Sequence, residues 1–141
     1  MRGFLEALFP FRDSGDVGSR GEKLAAAWLR RERSFTIVTR NWRSPRDRRE
    51  EIDLVARDRG VLVFVEVKAR RTGAFGGAIY AVHQRKQEKL IQLAALYLAR
   101  HHIKDRLCRF DVVLLQAVGD GPAQIEHIQN AFEVSGEDLR W

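Results

Sequence analysis

The chain predicts an α/β fold, a three-layer sandwich in which a mixed β-sheet is flanked by helices. Three observations carry that prediction. Val61-Leu62-Val63-Phe64-Val65-Glu66-Val67-Lys68 is a strand so apolar that it must be buried. Residues 83 to 102 set Leu90, Leu93, Ala94, Tyr97 and Leu98 at helical spacing, with Arg85, Lys89 and Arg100 mostly off that stripe. The order of patterns (helix, three strands, helix, two strands) then gives a mixed sheet with helices packed on it. At 141 residues and 45% hydrophobic content, the chain suits one compact domain with a real core.

Residues 1–18 read as an N-terminal extension, 19–132 as the domain, and 133–141 as a C-terminal tail. Met1 to Pro10 is short, greasy, interrupted by Glu6 and broken at Pro10. That is neither a bilayer span nor a secretory signal, and it reads as a frayed tail or as a membrane or partner contact. Ser19-Arg20-Gly21-Glu22 has the form of a capping box opening an alanine- and leucine-rich helix that runs to about Arg31. Phe35 to Thr39 is β-branched and short, a first strand, and Ser44 to Arg49 is a polar loop. Glu51 to Ala56 and Val61 to Lys68 follow as two strands. With Arg57-Asp58-Arg59-Gly60 as their loop, Ala56 pairs with Val61 and Asp53 lies opposite Phe64.

Arg70 to Gly77 has the glycine content of a loop able to fold over a phosphate backbone, but its glycines match neither a P-loop nor a dinucleotide fingerprint. Cys108 to Val118 is a long apolar strand interrupted by Asp111, and Gln124 to Ile128 is a short last strand. Asp111 reads as a structural carboxylate paired with Arg109 or Arg40. The lone Cys108 excludes an intramolecular disulfide and a cysteine zinc site, which fits a reducing cytoplasm. His83, His101, His102 and His127 lack ligand spacing and read as solvated or packing residues.

The chemistry concentrates in the two middle strands. Side chains alternate along a strand, so Glu66 and Lys68 share one face, about 6.6 Å apart by backbone rise. The hairpin makes Asp53 a same-face diagonal neighbour of Glu66. Charge buried at that cost usually has a task. Two carboxylates beside a lysine suit a hard cation such as Mg²⁺ and metal-assisted phosphodiester hydrolysis, with Lys68 orienting water or stabilising developing charge. Glu22 has two readings, one as the capping residue and one as a group pointing with Ala25, Ala26 and Leu29 toward Asp53. Lys86, one turn before Leu90, either snorkels to the helix edge or reaches into the site.

The formal charge is +6 and the isoelectric point is near 10.1. Arg40, Arg43, Arg46, Arg48 and Arg49 crowd the segment before the site, and Arg70 and Arg71 follow Lys68. Such a cluster suggests a polyanion partner, set against the plain reading of a solvated loop. Trp42 within it reads as a base-stacking aromatic or as a core residue.

Asp53 followed by Glu66-Val67-Lys68 resembles the Asp, Glu-x-Lys core of the PD-(D/E)XK nuclease superfamily, which has the restriction-endonuclease-like fold. With Gly21-Glu22, Arg40-Asn41, Glu51-Ile52-Asp53, Phe64 to Lys68, Lys86 and Arg109-Phe110-Asp111-Val112-Val113, the chain resembles the small bacterial UPF0102 (YraN-like) family from about Ser19 to Phe132. Glu50 departs from that pattern, where glycine is expected. The resemblance implies a fold similar to Holliday junction resolvases and a divalent-metal-dependent endonuclease acting on DNA, including branched or structured DNA. It also implies Mg²⁺ or Mn²⁺ on Asp53 and Glu66 with Glu22 assisting, Lys68 positioning water, Lys86 in the site and a homodimer. Two other readings stand beside it: a nucleic-acid-binding module of the same fold without efficient catalysis, and a structural pair in which Glu66 and Lys68 neutralise each other.

Overall fold

The computed structural model describes residues 14–71, 82–117 and 124–134, with the backbone alone at 14–19, 70, 71 and 117. Helix α1 spans Ser14–Arg33, and strands β1 (Thr36–Arg43), β2 (Glu51–Asp58) and β3 (Val61–Arg71) follow. Helix α2 (Gln84–Arg100) then precedes β4 (Cys108–Ala117) and β5 (Gln124–Ile128). The five described strands form one sheet in sequence order. Its β1/β2, β2/β3 and β4/β5 pairs are antiparallel, and β3/β4 is parallel. A parallel pair needs a long crossover, and α2 lies in it. The expected mixed α/β sandwich is the observed architecture.

Because β3 and β4 lie in the middle of the sheet, both of their faces are covered. Val63, Val65, Val113 and Leu115 meet Leu24, Ala25, Ala26 and Leu29 of α1 on one side. Leu62, Phe64, Phe110, Val112 and Leu114 meet Leu90, Leu93, Ala94, Tyr97 and Leu98 of α2 on the other. That double burial is why these strands read as near-continuous apolar runs. Trp42 belongs to the second core: its ring meets Tyr97 edge-on at 5.4 Å between centroids. Tyr97 meets Phe64 at 5.8 Å, Phe64 stacks on Phe110 at 5.5 Å, and Phe110 on Phe132 at 4.7 Å. Each such pair adds about 0.5 to 1.5 kcal/mol beyond its buried area.

Three local expectations are corrected. The helix begins at Ser14, so Ser19 lies inside it and forms no capping box with Glu22; a Ser-x-x-Glu spacing also occurs within helices. The β2–β3 hairpin is tighter than the four-residue loop expected. Asp58 pairs with Val61, leaving Arg59 and Gly60 at φ 50° and 87° as a two-residue turn. Positive φ at both central positions matches the strand twist, and glycine suits the second. Ala56 therefore pairs with Val63 and Val55 with Phe64, displacing Asp53 from Phe64. The first strand also runs further than Thr39, carrying Arg40, Asn41, Trp42 and Arg43 in β1. The expected loop from 70 to 77 falls outside the described residues beyond Arg71.

Asp111 is paired with Arg109 and not with Arg40. Arg109 Nε and Nη2 donate to its two oxygens at 2.9 and 3.1 Å, the Asn130 N–H donates at 2.9 Å, and His127 Nε2 lies 2.8 Å away. Burial pushes Asp111 up, but its bonds with His127, Arg109 and Asn130 and the charge of Arg109 outweigh burial and hold it below the ordinary range. Arg109 also bridges to Asp58 at 2.9 Å, tying the β2 hairpin to β4, β5 and the following turn.

Candidate active site

The paired register of β2 with β3 ends at Leu54↔Val65. Asp53 sits just beyond, where its Oδ2 accepts a 2.8 Å hydrogen bond from the Val67 N–H. A side-chain oxygen thus does what a main-chain carbonyl would do in a continued ladder. Alternation breaks at the same point: Leu54 and Ala56 pack toward α1, whereas Ile52 packs with the α2 core. A cleft of about 600 Å³ lies here, and Glu22, Glu51, Asp53, Glu66, Lys68 and Lys86 line it together with residues 47, 49, 50 and 89.

Of the six acidic residues lining the cleft, four come from three helix or strand elements, and Asp47 and Glu50 come from the β1–β2 loop. Among the described residues, Glu22 of α1 and Glu51 and Asp53 of β2 bring one oxygen each to within 4.8 Å of one another. Glu22 is buried. Burial, with the charge of Glu51 adding to it, raises Glu22 above the ordinary range, although its neighbours Asp53 and Asn41 and the charge of Arg43 oppose the shift. Asp53 is pushed up to about 8, chiefly by burial. The Val67 N–H opposes that shift, while the charges of Glu66, Glu22 and Glu51 add to it.

Glu66, on β3, is 7% exposed. Its Oε1 lies 3.4 Å from Lys86 Nζ, and its Oε2 is buried without a hydrogen-bond partner among the described residues. Lys86 therefore reaches the site from α2. The ion pair of Glu66 is with Lys86, which replaces the Glu66–Lys68 pair considered above. Lys68 lines the cleft and, among the described residues, has no carboxylate within 4.0 Å.

The arginine cluster divides. Arg49 lines the cleft and makes a bidentate contact with Asp47, both bonds 3.0 Å long. Arg43 is exposed but engaged: Nη1 donates to the Arg48 carbonyl at 2.8 Å, and Nη2 lies 3.1 Å from Glu51 Oε2. That second approach is too poorly aligned to count as a hydrogen bond, since Glu51 Oε2 has no donor. Arg40, Arg46 and Arg48 are exposed and outside the cleft lining. Arg70 and Arg71 end β3, in register with Gln116 and Ala117. Ser44 shapes the loop, its buried Oγ accepting from the N–H groups of Arg46 and Asp47 at 3.2 and 3.4 Å, while Lys89 clips Glu50 at 3.2 Å.

Sequence reasoning missed Glu51 and Asn41 as members of the site. Glu51 was findable, since it stands two residues before Asp53 in an extended run. Asn41 carried no signal of that kind. It adopts φ 55° within β1, between the pairs Arg40↔Leu54 and Trp42↔Ile52, which brings it across from Asp53. Asparagine tolerates that left-handed backbone better than most residues.

The donor set fits a hard divalent cation. Its ligands are carboxylate oxygens, two of them (on Glu51 and Glu66) are buried without hydrogen-bond partners among the described residues, and burial, with the neighbouring carboxylates adding to it, raises Asp53 well above the ordinary range. Among the described residues, no helix is long and apolar enough to cross a membrane.

Comparison with known proteins gives the family. The model of the uncharacterised protein family UPF0102 matches residues 21–115, which include every carboxylate of the cleft with Lys68 and Lys86. A UPF0102 protein of Geobacter sulfurreducens is 44% identical over 119 residues, covering 84% of this chain and 90% of that protein. One from Symbiobacterium thermophilum is 47% identical over 116 residues, 82% of this chain and 95% of its own. One from Pseudomonas aeruginosa is 43% identical over 122 residues, 85% and 94% respectively. With a matching model over most of its length and relatives this similar from end to end, the chain belongs to the UPF0102 family.

Proposed function

We propose that this protein is a divalent-metal-dependent endonuclease that hydrolyses phosphodiester bonds in DNA. The observation that carries the reading is the convergence of Glu22, Glu51, Asp53 and Glu66 with Lys68 and Lys86 in one cleft. Asp53, Glu66 and Glu22 would hold Mg²⁺ or Mn²⁺, which supplies Lewis-acid polarisation of the phosphate and a more acidic bound water. Lys68 contributes an ammonium that has no carboxylate partner among the described residues, suited to orienting the attacking water or stabilising charge that develops on the phosphate. Lys86 fixes the Glu66 carboxylate through its 3.4 Å ion pair. The Val67 N–H fixes Asp53.

The exposed guanidinium groups of Arg40, Arg46 and Arg48 offer phosphate contacts beside the cleft. Arg49 belongs with them, because an exposed pair such as Arg49–Asp47 is weak enough to exchange for a phosphate. Arg43 has the smaller part, being held by Glu51 and the Arg48 carbonyl. Branched or structured DNA is the substrate form this reading favours, and a homodimer is its assembly, to be read by light scattering on the eluted protein.

The test is incubation of the purified protein with labelled duplex, flap, four-way-junction and single-stranded DNA, with Mg²⁺, Mn²⁺ or chelator, beside Asp53→Ala. Cutting by the wild type alone, abolished by chelator, supports the proposal and ranks the substrates. Salt-steep binding equal in both proteins, with no cutting under any condition, rejects it in favour of a binding module.

A further inference from the structure

We propose that Lys89 is a phosphate-contacting residue of the cleft, held by Glu50 when the cleft is empty, and that a DNA phosphate takes the place of the Glu50 carboxylate on binding. This rests on the reading of the protein as a DNA endonuclease, and adds to it a substrate-positioning residue together with the carboxylate that competes for it.

Helix α2 gives the cleft one of its walls through Lys86, Lys89 and Leu93, whose spacing sets them on one helical face. Leu93 is buried in the core beneath that face, so both ammonium groups project from a fixed support. Their surroundings differ. Lys86 Nζ lies 3.4 Å from Glu66, a carboxylate whose side chain is only 8% exposed, which places this lysine among the acidic groups of the site. Lys89 Nζ lies 3.2 Å from Glu50, and there both side chains are open to solvent, at 47% and 28%.

That second pair is suited to exchange. The main chain of Glu50 is pinned, its N–H donating to the Asp47 carbonyl at 3.0 Å and its carbonyl accepting from the Ser44 N–H at 2.9 Å. Release of Lys89 therefore needs only the Glu50 side chain to swing, with the β1–β2 loop left in place. Solvent screening makes an exposed lysine–glutamate contact weak, and a phosphate oxygen offers the freed ammonium a charge-assisted hydrogen bond in return. Arg49 stands in the same relation to Asp47 on the loop side of the cleft. Two cations that line the cleft are thus each covered by an acid of one loop. An entering polyanion uncovers them, and Lys89 then fixes a phosphate one helical turn from Lys86.

The test is binding of fluorescently labelled four-way-junction and duplex DNA, read by anisotropy at several salt concentrations, with Ca²⁺ replacing Mg²⁺ to hold off cleavage. The proteins are wild type, Lys89→Gln, Glu50→Gln and the double variant, each checked for folding by circular dichroism. Lys89→Gln is expected to weaken binding about fivefold or more and to lower the salt slope by about 1. Glu50→Gln is expected to tighten binding about twofold to fivefold, and to lose that gain when Lys89 is also replaced. The inference is overturned by Lys89→Gln binding with wild-type affinity and slope. It is equally overturned if Glu50→Gln fails to tighten binding, or tightens it as much without Lys89 as with it, since removal of any acid from the cleft would do the latter. Either result leaves the endonuclease reading standing, whereas a wild type that binds neither DNA rejects that reading and this inference with it.

Discussion

At the scale of single residues, their partners make two buried aspartates opposites. Asp111 receives a guanidinium and a backbone N–H and has an imidazole nitrogen at 2.8 Å, so it stays ionised and structural. Asp53 receives one N–H among three other carboxylates and is pushed up to about 8. Since the raised group keeps its proton in the fold at pH values where the unfolded chain has lost it, its contribution to stability is full below about 4. That contribution fades as pH climbs toward 8. Without metal, the melting temperature is expected to fall between pH 5 and pH 8, and Asp53→Asn to flatten that slope; calorimetric melts across the range check this. Mn²⁺ affinity runs the other way, rising with pH, because the cation must displace the proton. Asp111→Ala is expected to cost about 3 to 5 kcal/mol in denaturant unfolding, since it takes the carboxylate from the buried His127 and the Asn130 N–H and leaves Arg109 with Asp58 as its remaining ion pair. Its DNA affinity should be unaffected, because the network lies outside the cleft lining.

At the scale of elements, the site depends on how closely α1 lies on the sheet. Gly21 makes that approach possible: a Cβ there would stand 3.3 Å from Leu115 Cδ1 and 3.8 Å from Ala69 Cβ. Glu22 is the next residue, so the seat of this turn decides whether its carboxylate reaches Asp53. Gly21→Val is expected to push α1 outward and to weaken Mn²⁺ binding more than tenfold, with a modest loss of stability of about 1 to 3 kcal/mol. Titration and denaturant unfolding together read both. Helix α2 works from the opposite face, carrying Leu90, Leu93 and Tyr97 into the core and Lys86 to Glu66. The Lys86 question was open in the sequence because a lysine at the edge of an apolar stripe is equally placed to snorkel. Only the neighbouring strand could decide it.

At the scale of the molecule, the helices, the strand order and the double-sided burial of β3 and β4 were legible, since each rests on periodicity within one segment. Relations between segments were less so. The hairpin register slipped by two residues, and such a slip keeps every side chain on its own face. Asp53 and Glu66 were therefore brought together correctly even though the pairing was wrong. Ser19 was misplaced because its spacing to Glu22 looks the same within a helix as at its start. Trp42 and Arg43 sit among arginines in the chain, yet one packs on Tyr97 and the other turns to Glu51. Composition reports local charge and not direction.

The most direct test of the central claim is single-turnover cleavage of labelled DNA in Mg²⁺ by wild type and by Lys68→Ala, with DNA affinity measured on the same samples. The account predicts that the variant loses cleavage by at least about 100-fold and binds DNA as the wild type does. Cleavage by Lys68→Ala at the wild-type rate would contradict it.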